Sequence, residues 1–202
     1  MGRIMILNGS PRAPKSNSKL YSEIFAKYCT AQCDYFNINK FNHKELILKM
    51  GDYTDVLIVF PLYADSLPSG LLYFLKNLEE NPPSYKPVIS ILINCGFLEY
   101  EQNYVAIRIL KYFCKTNGYI TGSILMLGSG EAILKTPFRR IAVKVIKKLA
   151  QSVSKKRYRE IKATMPLPKW LFKLAANMYW TNYGKKYGIS KKEMSNQEIE
   201  KP

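Results

Sequence analysis

The sequence predicts an α/β fold, a three-layer sandwich in which helices cover both faces of a five-stranded parallel sheet. Apolar runs of strand length alternate with amphipathic helical segments along the first two thirds of the chain. That alternation is typical of a parallel sheet. Several runs are continuously apolar, as expected for strands that are buried on both faces. A chain of 202 residues can form one such domain with a sizeable core.

The predicted elements follow one another in regular order. Strands are predicted at residues 3–8, 34–38, 55–60, 87–94 and 119–127, and the second is short and polar enough for a sheet edge. Helices are predicted at residues 18–33 and 42–51, from residue 69 to the break at Asn81-Pro82-Pro83, and at residues 102–117 and 138–149. We place the sheet domain at residues 1–150 and a basic helical extension at residues 151–202.

Charge separates these two parts of the chain. The formal net charge is +16, and residues 135–202 hold eighteen Lys or Arg against four Glu. The hydrophobic fraction of 47% excludes a disordered chain. No apolar run reaches the ~18 residues of a spanning helix, and the N-terminus has no signal-peptide pattern. We therefore expect a cytoplasmic protein whose basic charge lies in the C-terminal third.

The cysteines and the single histidine give no metal site. Cys29, Cys33, Cys95 and Cys114 fall in different elements and are expected to be reduced thiols. Cys29 and Cys33 are four residues apart and could share a helix face, but no further ligand completes a metal or redox centre. His43 lies in a polar stretch and is expected to be exposed.

The loop after the first strand predicts a phosphate site. Asn8-Gly9-Ser10 ends the strand, and an amphipathic helix begins after residue 17. Free N–H groups at a helix N-terminus form an anion site. The dinucleotide and P-loop glycine patterns are absent, so a terminal phosphate monoester is the best ligand for this loop, although an ordinary βα turn would share its pattern. The loop supplies hydroxyl, amide and basic side chains, namely Ser10, Arg12, Lys15, Ser16, Asn17 and Ser18.

Three loops together carry a family resemblance. The first, Gly-Ser-x-Arg followed by a Ser/Asn cluster and a helix, resembles the first loop of the flavodoxin-like NAD(P)H-dependent FMN reductases. Pro61-Leu62-Tyr63 followed by Ser66-Leu67-Pro68 resembles the second flavin loop of that family. Asn94-Cys95-Gly96-Phe97 resembles the third, where Gly allows close backbone approach to the ring. The resemblance covers residues 3 to about 130.

The resemblance implies a flavodoxin-like fold with strand order 2-1-3-4-5 and a ligand crevice at the carboxyl ends of strands one, three and four. It implies FMN as cofactor and NAD(P)H as co-substrate. The compact four-cysteine run of cluster-bearing relatives is missing, so no iron–sulfur cluster is expected. Core packing is an alternative for Tyr63 and Phe97, and an inert buried thiol for Cys95. The expected cofactor-binding residues are Ser10, Arg12, Ser16, Asn17, Ser18, Pro61, Leu62, Tyr63, Ala64, Asn94, Cys95, Gly96 and Phe97.

The implied function is an FMN-dependent oxidoreductase that passes hydride from NAD(P)H to flavin and then electrons to a small acceptor such as a quinone, flavin or dye. Such chemistry requires no catalytic side chain from the protein. Two alternatives are a flavodoxin-type electron carrier, which usually presents an acidic face, and a cofactor-less flavodoxin-like module that interacts with anionic surfaces.

The C-terminal extension permits three interpretations. An aromatic, lysine-rich helix follows residue 165. It could pack over the flavin site or against a second subunit, lie on a membrane surface, or form a nucleic-acid patch. No nucleic-acid motif supports the last. We expect a homodimer, no nucleic-acid partner, and at most weak contact with anionic membranes through this extension.

Overall fold

A six-stranded parallel sheet with the order β2-β1-β3-β4-β5-β6 forms the centre of the fold. The predicted order of the first five strands is confirmed, with β2 at one edge. The sixth strand was not predicted because its sequence, Glu-Ile-Lys-Ala, has no apolar run, and only Ile161 is buried. It adds to the opposite edge by pairing with β5. The strands are β1 (Arg3–Asn8), β2 (Gln32–Asn37), β3 (Asp55–Pro61), β4 (Val88–Asn94), β5 (Thr121–Leu127) and β6 (Glu160–Ala163).

The computed structural model describes residues 2–196, which form two compact units, residues 2–165 and residues 166–196. Along the chain the boundary between the units falls between Met165 and Pro166, and the sequence-based division was placed at residue 150. Residues 151–165 belong to the first unit because they complete its last helix and form β6. Among residues 2–196, no helix is long and apolar enough to cross a membrane.

Helices cover both faces of the sheet. On one face α1 packs against α5, and on the other α2, α3 and α4 contribute to a shared core. The alternation of side chains along β1 supplies both cores: Met5 and Leu7 join the α2–α4 side, while Ile4 and Ile6 are equally buried and face the other. The helices of this unit are α1 (Asn17–Tyr28), α2 (His43–Met50), α3 (Ser69–Glu80), α4 (Tyr104–Thr116) and α5 (Arg139–Ser154).

Two local expectations differ from the structure. The first helix ends at Tyr28 instead of continuing to residue 33, because residues 32 and 33 pair with β1 in the sheet. Cys29 is therefore the helix C-cap and Cys33 lies on β2, so the two do not share a helix face. His43 is 8% exposed. It packs edge-on against Phe74 with 5.7 Å between ring centroids.

The second unit consists of α6 (Lys169–Lys185) and α7 (Lys191–Met194). Helix α6 begins directly after Pro168, its N-cap. Ser190 and Glu193 form a capping box at the start of α7. Gly184 is buried because Met194 of α7 packs onto it, and a Cβ there would lie 2.5 Å from the Met194 sulfur. A larger residue at this position would require the Met194 side chain to move.

Candidate functional site

A cleft of about 360 Å³ opens at the carboxyl ends of β1, β3 and β4. Its volume lies in the range of small-molecule pockets. The loops that the sequence singled out after these three strands all contribute to it, because the carboxyl ends of parallel strands share one edge of the sheet. The predicted residues that line it are Ser10, Arg12, Ser16, Asn17, Ser18, Pro61, Leu62, Tyr63, Asn94 and Gly96. Ala64, Cys95 and Phe97 do not line it, and Glu131, which was not predicted, does.

The N-terminus of α1 forms one end of the cleft. Ser16 is its N-cap, and the Ser16 Oγ accepts the main-chain N–H of Lys19 at 3.2 Å. Within residues 2–196, no main-chain carbonyl accepts a hydrogen bond from the N–H groups of Asn17 and Ser18. Both residues line the cleft. Unpaired N–H groups and the positive end of the helix dipole make this end of the cleft suitable for an anion.

Asn8 organises the loop that precedes α1, and sequence reasoning did not include it in the site. It is fully buried at the last position of β1. Its Nδ2 donates to the Ser16 Oγ at 3.2 Å and to the Tyr35 hydroxyl at 2.8 Å, and its Oδ1 accepts the Ser10 N–H at 2.9 Å. The sequence signal that could have identified Asn8 as part of the site is its position as a polar residue at the end of an apolar strand. Asn8 fixes Ser10 and Ser16 at the cleft wall.

The loop after β3 is a tight turn with unusual backbone angles. Tyr63 and Ser66 exchange main-chain hydrogen bonds of 3.1 and 2.8 Å. Between them Ala64 and Asp65 have φ of 44° and 55°. This left-handed region costs a non-glycine residue roughly 1–2 kcal/mol, and such strain clusters at functional sites. The turn directs Tyr63, 41% exposed, to the cleft wall and leaves Ala64 outside it.

The loop after β4 contributes backbone more than side chains. Asn94 is buried, and its Nδ2 donates to the Phe60 carbonyl at 3.1 Å. The Cys95 thiol is buried and contacts the carbonyls of Phe97 and Glu99. Burial raises the pKa of Cys95, so it is an inert thiol. Gly96 lies at the cleft, and a Cβ there would meet only the Glu131 carboxylate within 4 Å, at 3.8 Å.

A fourth loop, after β5, completes the cleft. The Gly130 carbonyl accepts hydrogen bonds from the Tyr21 hydroxyl and from the Asn17 Nδ2, the latter at 3.2 Å. A Cβ at Gly130 would lie 2.6 Å from the Asn94 Cβ. The glycine therefore allows the loop to approach β4 closely and brings Glu131 to the cleft. The Gly-Ser-Gly sequence after the fifth strand was the only signal for this contribution.

The charged side chains in the cleft nearly cancel. Arg12 Nη1 lies 3.8 Å from Glu131 Oε1, and both side chains are largely exposed. An exposed pair of this kind contributes little stability, so Arg12 is able to turn toward an anionic ligand. Lys15 does not line the cleft. Attraction for an anion therefore comes chiefly from the α1 N–H groups, the hydroxyls and Arg12.

These features fit the parts of FMN. The α1 N-terminus with Ser10, Ser16 and Ser18 suits a phosphate monoester. Tyr63 supplies an aromatic wall, and the space beside Gly96 allows a flat ring to approach the backbone. Among the described residues, no group of three or more His, Cys, Asp or Glu side chains is placed to hold a metal ion.

No family model and no curated protein sequence matches this sequence. The fold is similar to that of the NAD(P)H:quinone oxidoreductase from Methanothermobacter marburgensis, with a TM-score of 0.60, 13% identity, and coverage of 75% of this chain and 96% of that one. It is similar to the FMN-dependent NADH-azoreductase from Bacillus anthracis in complex with FMN, with a TM-score of 0.59, 14% identity, and coverage of 75% and 99%.

A third similar structure is the flavodoxin of Streptococcus pneumoniae TIGR4, with a TM-score of 0.58, 11% identity, and coverage of 76% of this chain and 99% of that one. At such identities the likeness shows the fold, and the activity has to be argued from the cleft. The strand order, the two helical layers and these neighbours together show that the chain has the flavodoxin-like fold.

Proposed function

We propose that the protein is an FMN-dependent oxidoreductase that takes hydride from NAD(P)H and passes electrons to a small acceptor such as a quinone, flavin or dye. The observation that carries the proposal is the cleft itself. It combines an open helix N-terminus, an aromatic wall and an open glycine at the carboxyl ends of three adjacent strands.

The phosphate end of the cleft would act chiefly through neutral donors, with Arg12 beside them. The main-chain N–H groups of Asn17 and Ser18 and the hydroxyls of Ser10 and Ser18 are available to donate to a phosphate. Each hydrogen bond to a charged group contributes roughly 1.5–3 kcal/mol. The Asn8 network fixes these donors before a ligand arrives, so little ordering cost accompanies binding.

The other end of the cleft would position a ring. Pro61 and Leu62 line this part of the cleft, and the Leu62 N–H donates to the Asn94 carbonyl at 2.7 Å. Tyr63 provides a surface for stacking. Bound FMN would supply the hydride and electron chemistry, while these residues orient the ring and exclude water from one of its faces.

The proposal is tested on the purified full-length chain. We expect it to take up FMN, to show the flavin absorption band, and to oxidise NADH or NADPH when a soluble quinone is added. A protein that binds FMN but oxidises neither nicotinamide would instead be an electron carrier, the alternative that the flavodoxin neighbour supports. A protein that takes up no FMN would be the cofactor-less module.

We also propose that the protein is a cytoplasmic homodimer. Stacking a nicotinamide and an acceptor on the same flavin requires a partly enclosed site, and a second subunit could supply the remaining wall over exposed Tyr63 and Phe97. Light scattering during size-exclusion chromatography measures the molecular mass of the protein in solution. We expect twice the 23.3 kDa of one chain, and a monomer at micromolar concentration would contradict the proposal.

A further inference from the structure

The second unit carries an exposed aromatic surface. We define the aromatic surface of α6 and its C-terminal turn as Tyr179, Trp180, Tyr183 and Tyr187; each of these side chains is 44–66% exposed. Exposed apolar groups are normal when scattered singly, but a contiguous patch marks an interaction site. This cluster is contiguous, because Tyr179, Trp180, Tyr183 and Tyr187 contact one another with ring centroids 5.1–6.3 Å apart.

Basic side chains surround this surface. Residues 166–196 contain six lysines and one acidic residue, Glu193. The Glu193 carboxylate accepts the Ser190 N–H at 2.7 Å in the capping box of α7. Helix α6 itself contains no acidic residue. Residues 166–196 therefore carry an excess of positive charge around the aromatic surface, and their lysines are Lys169, Lys173, Lys185, Lys186, Lys191 and Lys192.

We infer that the second unit docks onto an anionic lipid bilayer, with the aromatic surface in the headgroup region and the lysines against the lipid phosphates. Trp and Tyr prefer the interface between water and hydrocarbon. Lysine stems extend along apolar groups while the ammonium stays near charge. The unit contacts the surface without spanning the bilayer, in agreement with the absence of a spanning helix among residues 2–196.

Charge complementarity distinguishes this occupant from a second copy of the chain. Two copies of α6 would bring like charges together, because the lysines flank the aromatic side chains at both ends of the helix. An anionic bilayer can bind both kinds of side chain, because its phosphates attract the lysines and its headgroup region accommodates the aromatic rings. Nucleic acid would satisfy the lysines, and it is a separate outcome of the test.

The sequence offers a direct reporter. The chain has two tryptophans, and both Trp170 and Trp180 lie on α6. Intrinsic tryptophan fluorescence of the full-length protein therefore reports only on this helix. Docking would transfer the Trp180 indole from water to the headgroup region and shift its emission to shorter wavelength.

The experiment compares phosphatidylcholine vesicles with vesicles in which about a third of the lipid is phosphatidylglycerol. We expect an emission shift and co-flotation with the anionic vesicles, with at least ~10-fold weaker binding to the neutral ones. Raising the ionic strength to ~1 M should release the protein, because the Debye length falls to about 3 Å. Equal binding to both vesicles, or none to either, would overturn the inference.

Matched variants distinguish an effect of the lysines in the second unit from an effect of the overall charge of the protein. Lys185→Gln with Lys186→Gln should weaken binding to anionic vesicles at least ~10-fold, since each lysine near the surface contributes about 1 kcal/mol. Lys144→Gln with Lys148→Gln removes the same charge from exposed positions of α5 and should leave binding within ~2-fold. Equal losses in the two variants would mean that overall charge drives binding, which would overturn the inference. A tight complex with DNA that prevents vesicle binding, or a concentration-dependent shift without lipid, would assign the surface to another partner.

Discussion

Replacement of Gly96 by Val tests whether the space beside the 94–97 loop is ligand space. In the free protein a Cβ at this position meets only the exposed Glu131 carboxylate, at the ordinary contact distance of 3.8 Å. The backbone of Gly96 does not have the left-handed φ that a side chain would strain. We therefore expect a change in unfolding free energy of at most ~0.5 kcal/mol. This corresponds to a shift of about 2 °C in Tm.

The bound state should respond much more strongly. A valine side chain would occupy volume that a flat ring needs, and overpacking of that kind costs about 1–3 kcal/mol. FMN affinity should fall about 5- to 150-fold. The assay is quenching of FMN fluorescence during titration with protein, and Tm without ligand is measured in parallel.

Gly70→Val is the matched control. Gly70 lies on α3 outside the cleft, and a Cβ there meets nothing within 4 Å. We expect this variant to keep both its Tm and its FMN affinity. If Gly96→Val binds FMN as tightly as the control does, the reasoning that places the ring beside Gly96 is wrong.

Three further predictions concern single side chains. Ser16→Ala should lower the unfolding free energy in urea by about 1 kcal/mol because it removes the α1 cap, whereas Ser18→Ala should weaken FMN binding with a smaller loss of stability. Burial lowers the pKa of His43. The contribution of neutral His43 to the unfolding free energy is complete above the unfolded pKa of about 6.5, and it is lost as the pH falls through the lower folded pKa. His43→Gln should flatten this pH dependence. An identical pH profile in the variant would show that His43 is not its source. A hydrogen bond from Cys33 lowers the pKa of Cys29 to about 6, so iodoacetamide should label Cys29 with an inflection near that pH, and Cys33→Ala should move the inflection upward toward about 8.5.

Much of the sheet could be predicted because buried parallel strands have a strong sequence signal. The bounds of β1 agree with the prediction, and the first five strands have the predicted order, since continuous apolar runs require burial on both faces. β6 could not be predicted, because an edge strand with alternating charged residues resembles a loop. The end of α1 was misplaced because pairing of Gln32 with Arg3 overrides helical spacing.

The site could be predicted at the level of loops but not of every side chain. Carboxyl ends of adjacent strands converge whatever their sequence, so the first, third and fourth loops form one cleft. Glu131 was missed because its position depends on the close approach of Gly130 to Asn94, a tertiary contact. Burial of His43 was missed for a similar reason, because it depends on packing against Phe74 of a different helix.

We propose above all that the cleft binds FMN with its phosphate at the N-terminus of α1. The most direct measurement is a calorimetric titration of the full-length chain with FMN and, in parallel, with riboflavin, which lacks the phosphate. Two hydrogen bonds to a charged group, at roughly 1.5–3 kcal/mol each, predict one FMN per chain and at least ~100-fold weaker binding of riboflavin. No saturable FMN binding, or equal affinity for the two flavins, would contradict the account.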